Sequence, residues 1–114
     1  MIQQNRVIVC LATGDLGCGI RGSLTARYGS IAQEPLDYLH EAMSGQRTAR
    51  STGRGGLGLR TVEQLAGSEG GYLWLRSETA AIFSKGSDRR RGHSGLANIR
   101  GAQIAVEFHA PLQV

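Results

Sequence analysis

Two stretches of this chain carry residue types at spacings that suit nucleotide chemistry: Asp15-Leu-Gly-Cys-Gly-Ile20 and Gly53-Arg-Gly-Gly-Leu-Gly-Leu59. A carboxylate such as Asp15 at a strand end accepts a hydrogen bond from an exocyclic amine, which adenine offers at N6, and its charge makes the contact strong and directional. Gly17 and Gly19 keep side chains out of an adenine-sized pocket beside it. In the second stretch, Gly56 and Gly58 open a helix whose free N–H groups and positive dipole end suit phosphates. Arg47, Arg50 and Arg54 supply counter-charges nearby.

Gly17, Gly19 and Gly22 also spell G-x-G-x-x-G, the fingerprint of a dinucleotide-binding loop. That loop needs an apolar strand running up to its first glycine, a long helix from its third, and an acidic residue at the next strand end about 20 positions on. Thr13-Gly-Asp15 interrupts the strand early, the segment after Gly22 is short, and the acidic candidates Asp37 and Glu41 fall in a helical pattern. The match is a coincidence of a glycine-dense loop, and Asp15 is the informative residue.

The two boxes resemble those of the histidine-kinase-like ATPase domain shared by gyrase, the heat-shock chaperone, histidine kinases and mismatch-repair proteins. Asp15-Leu-Gly-Cys-Gly-Ile20 is similar to the D-x-G-x-G-I box and Gly56-Leu-Gly-Leu59 to the second glycine box, and the later segments through Pro111-Leu112 follow in the same order, so the likeness spans residues 6 to 112. The resemblance implies ATP or ADP as ligand. It assigns the base pocket to Asp15, Gly17, Gly19 and Ile20, an ATP lid to residues 21 to 55, and the phosphate side to Arg54, Gly56, Leu57 and Gly58. It also implies Mg²⁺, held in the family by an asparagine on a helix before the first box. Nothing here matches that asparagine, so the chain reads as the C-terminal portion of such a domain without that helix, and no catalytic residue is assigned.

The elements that must position these boxes can be read from periodicity. Arg6-Val-Ile-Val-Cys-Leu-Ala12 is apolar and rich in β-branched residues, which predicts a central strand buried on both faces. Ser23 to Tyr28 allows a short helical turn or two, and Leu36, Leu39, His40 and Met43 place a helix over 35–43 with Pro35 in its first turn. Leu59, Val62, Leu65 and Ala66 mark a helix over 57–66 that Gly67 stops. Residues 72–78 and 80–84 read as a β-hairpin, 86–97 as a polar loop, and 103–109 as a half-buried strand. The expected fold is α+β: a two-layer sandwich of the Bergerat type, truncated at its N-terminal side, with helices on one face of a mixed, mostly antiparallel sheet.

Composition sets the frame. A chain of 114 residues makes one domain, here residues 1–114, and no apolar run reaches the 18 or so residues of a membrane span. The opening residues carry no signal-peptide core, so a cytoplasmic location is expected. Cys10 and Cys18 are too few for a disulfide framework and are read as thiols. The net charge of +4 raises nucleic acid as a partner. Against it, Lys85, Arg89, Arg90 and Arg91 sit in a glycine-rich stretch with no interleaved aromatic residue and read as a solvated loop. His40 falls between the boxes, as a lid or core residue, and His93 and His109 have no neighbours at metal-ligand spacing.

Two functions follow. One is an ATP-binding domain of a histidine-kinase-like signalling protein, with kinase-type phosphotransfer or switching by lid closure, binding adenine nucleotide weakly or not at all in the absence of the asparagine helix. The other is a non-catalytic remnant or interaction module that binds a partner chain or a second copy through an uncovered, apolar sheet face.

Overall fold

A computed structural model describes residues 6–14, 17, 19–30, 32–44 and 56–111. Five strands and three helices follow in the order β1 (Arg6–Gly14), α1 (Gly19–Tyr28), α2 (Pro35–Ser44), α3 (Gly56–Ser68), β2 (Tyr72–Glu78), β3 (Ala80–Ser84), β4 (Arg90–His93) and β5 (Ile99–Pro111). The sheet order is β1-β5-β2-β3-β4. Every pairing among the described strands is antiparallel, so the sheet is not mixed.

Alternation along β2 decides which face the helices cover. Leu73, Leu75 and Ser77 are buried, while Tyr72, Trp74, Arg76 and Glu78 between them are half-buried, as a period-2 strand with one covered face requires. Register carries that assignment across the sheet: Leu75 pairs with Ile82 and Ile104, and Leu73 with Ser84 and Val106. On this face Leu39 and Met43 of α2 and Ala66 of α3 join Leu73, Leu75, Ala80, Ile82 and Val106 in one core, with Ile20 of α1 packed at its rim. No described helix lies over the other face. The α+β layering with helices on one side therefore follows from the side-chain pattern.

Three expectations change. Apolar residues 6–12 form an edge strand, not a central one, among the described residues: there β1 pairs with β5 alone, and Ile8, Val9 and Leu11 are 56%, 44% and 59% exposed. Its composition matches a doubly buried strand, but no described element lies beyond it. Second, α1 begins at Gly19 and runs ten residues, longer than the turn or two its glycines suggest. Third, the polar stretch 86–97 contains β4, formed where the chain returns along β3.

Candidate functional site

β1 runs out at Gly14, and the first glycine box follows at its carboxyl end. Asp15 lies outside the described residues, as do Leu16 and Cys18. Gly17 sits exposed at a bend. Gly19 is buried, opens α1, and has φ +74°, a backbone conformation that costs an L-residue roughly 1–2 kcal/mol. A Cβ at this position would stand 2.8 Å from Ser77 Oγ and 3.2 Å from the Gly101 carbonyl oxygen. Glycine is thus required twice, by backbone conformation and by space.

The close approach is built by a bulge. Ser77 of β2 pairs with Ala102, but Glu78 pairs with Ile99, so the register slips between them. Gly101, at φ +80°, turns its carbonyl inward within this irregularity. Ser77 Oγ donates to that carbonyl at 2.8 Å and accepts the Ile20 N–H at 3.3 Å. Arg21 reaches Glu78 at 2.6 Å one position farther on. A bulge that re-aims backbone groups beside a glycine loop is the kind of device found at binding sites. Here it joins α1 to the sheet at the helix's first residue.

The second box starts α3. Gly56 and Leu57 are its first two residues, and neither α1 nor α3 has a carboxylate in its first turn. Gly58 is exposed, and a Cβ built on it would meet no described residue within 4 Å. Arg47, Arg50 and Arg54 fall outside the described residues. The structure places Gly19 and Ile20 together against Ser77 and places Gly56, Leu57 and Gly58 in one helical turn. It describes no contact between the two groups.

What holds α3 is a network absent from the sequence reading. Glu63, fully buried, accepts hydrogen bonds from Arg90 Nε at 2.6 Å and Nη2 at 2.7 Å, and from Ser84 Oγ at 2.5 Å. Arg90 Nη2 also donates to the Met43 carbonyl in the last turn of α2, at 3.3 Å. Burial pushes the Glu63 carboxyl up, but the hydrogen bonds from Arg90 and Ser84 outweigh it and hold the group below its ordinary range. Arg90, expected in a solvated loop, thus lies on β4 as the buried carboxylate's partner, locking α2, α3 and β3 together. The only sequence signal for this was one acid on the apolar side of a helix, at Glu63 beside Val62 and Ala66.

On the uncovered face, Cys10 Sγ donates to Glu107 Oε1 at 3.5 Å, and His109 Nε2 lies 2.7 Å from Glu107 Oε2. The hydrogen bond to Glu107 raises the Cys10 thiol, which keeps it protonated and a poor nucleophile. His109 holds the Glu107 carboxyl low. Among the described residues no group of three histidine, cysteine, aspartate or glutamate side chains is placed to hold a metal ion. Nor, among them, is any helix long and apolar enough to cross a membrane.

No family model, no curated protein and no solved structure matches this chain.

Proposed function

We propose that the chain is an adenine-nucleotide-binding domain of the histidine-kinase-like type, with the base at Asp15, Gly17 and Gly19 and the phosphates toward the first turn of α3. The observation that carries this reading is the contrast at Gly58. A helical glycine costs roughly 1 kcal/mol relative to alanine, and at Gly58 no described neighbour requires it. Space kept free at a helix N-terminus without a carboxylate is what a phosphate approaching the backbone needs. Ile20 anchors the first box to the core.

Binding alone is proposed, and no phosphotransfer step is derived. ATP should raise the melting temperature of the whole chain, and Asp15→Asn should abolish that rise while leaving the unliganded melting temperature unchanged. An equal rise in the variant would remove Asp15 from the site.

A second reading, an interaction module, rests on β1. An edge strand with exposed Ile8, Val9 and Leu11 and no charge between Val7 and Ala12 is open to pairing with another chain. Concentration-dependent oligomerisation without any nucleotide effect would favour it.

A further inference from the structure

The side of the sheet that carries no described helix is not bare. Tyr72 and Trp74 of β2 point to it, out of phase with the buried Leu73 and Leu75; Phe83 of β3 pairs with Trp74, and His93 of β4 lies two residues from Arg91, the partner of Phe83, and so on the same face. Their rings form a ladder across three strands. Centroids are 5.0 Å apart for Tyr72 and Phe83, 6.1 Å for Trp74 and Phe83, and 5.9 Å for Trp74 and His93. All four residues are half-buried, each covering its neighbour's flank.

Cations border the ladder on one side. Arg91 is the cross-strand partner of Phe83, and Phe83, Lys85, Arg89, Arg90 and Arg91 line an open depression of about 530 Å³. Arg90 is committed to Glu63. Lys85, Arg89 and Arg91 are exposed, and no side chain of theirs is ion-paired with a described residue. Asp88 is the one carboxylate in this turn. On the ladder's other side a depression of about 350 Å³ runs past Trp74 over Ala12, Gly14, Gln103 and Ala105, with no charged lining residue. The aromatic residues missing from the sequence around the cations are thus supplied by neighbouring strands.

Cross-strand aromatic pairs alone stabilise a sheet, and exposed cations alone are ordinary surface. Together they select an occupant that is anionic along one border and flat-ringed across the other. We propose that this face binds single-stranded nucleic acid, with two or three bases stacked on the Trp74–Phe83 ladder and the backbone phosphates along Lys85, Arg89 and Arg91. A duplex does not fit this arrangement, since its base faces are stacked out of reach. The ring ladder lies on the opposite side of the sheet from the described helices, while Lys85 and Arg89 sit at the β3–β4 turn, where they also border Gln64, Gly67 and Ser68 of α3; the site is independent of the nucleotide reading.

The test uses the full chain with fluorescein-labelled twelve-nucleotide oligo(dT) and oligo(U), followed by anisotropy and by the emission of Trp74, the single tryptophan. Binding at low salt should quench Trp74, and log K should fall with log salt at a slope of about −2, from three cations at about 0.7 each. Preference for oligo(U) over oligo(dT) would place the 2′-hydroxyl in the contact, and equal affinity would make DNA and RNA equivalent; both support the site. Arg89→Glu with Arg91→Glu should weaken binding at least about tenfold with the melting temperature unchanged. Phe83→Leu, which keeps the bulk without the ring, should weaken it about fivefold or more. No binding at about 50 mM salt, binding without Trp74 quenching, or equal binding of oligoglutamate would overturn the proposal, the last in favour of an acidic protein partner. Displacement of the oligonucleotide by excess ATP would also overturn it as a separate site.

Discussion

α1 and α3 both begin in glycine, and the fold treats the two beginnings differently. α1 is fastened at its first residue: Gly19 fits against Ser77 and Gly101 with no room for a methyl group, and Ile20 is tied to the Ser77 hydroxyl. α3 is fastened in its middle, where Glu63 meets Arg90 and Ser84, and Gly58 in its first turn has no described neighbour that a methyl group would meet. A glycine that packing demands says little about ligands. A glycine in a helix that packing does not demand leaves a function to be found for it.

The comparison breaks most severely at the anchor of α3. Arg90→Ala leaves Glu63 charged and buried without its cation, and should cost about 3–5 kcal/mol in denaturant unfolding, the range for one-sided removal of a buried pair. A loss below about 1 kcal/mol would show that α3 is held by its apolar contacts alone. The same anchor sets an acid limit. Because the folded Glu63 carboxyl titrates below its unfolded value, its contribution is fully present above about pH 4.5 and is lost as pH falls through the lower folded value. Wild-type stability should therefore drop on acidification below that point, more than in Glu63→Gln measured in parallel.

At the start of α1 the expected effects are smaller. Gly19→Ala meets both the positive φ and the Ser77 contact and should cost about 2 kcal/mol or more. Ser77→Ala strands the Ile20 N–H and the Gly101 carbonyl and should cost about 1–3 kcal/mol. The smallest effect has the opposite sign: Gly58→Ala should stabilise the unliganded chain by up to about 1 kcal/mol while weakening any ATP-induced stabilisation. Stabilisation with an unchanged ATP response would leave Gly58 without a ligand role.

The sequence pattern exposed these elements unevenly, for physical reasons. The helices around Leu39 and Val62 and the hairpin of Tyr72–Ser84 announce themselves by local periodicity, and the structure has them within a few residues of the expected bounds. β1 misleads because an apolar strand looks the same whether or not a neighbour covers it. Pairing is set by β5, nearly a hundred residues away in sequence. β4, written Arg-Arg-Gly-His, has no strand signature, and its position depends on Arg90 finding Glu63 across 27 residues. Of the candidate site, Gly19 was legible as a loop glycine, but the reason for it lies on β2 and β5. The ring ladder was invisible because Trp74, Phe83 and His93 meet only through register.

The central claim is nucleotide binding through Asp15, and thermal unfolding of the intact chain with and without ATP tests it most directly. For a dissociation constant of about 1 mM, about 10 mM ATP should stabilise the fold by about 1.4 kcal/mol, a rise of several degrees in melting temperature. That rise is expected for wild type and none for Asp15→Asn, with equal melting temperatures in the absence of ligand. No rise in wild type, or the same rise in both proteins, would contradict it.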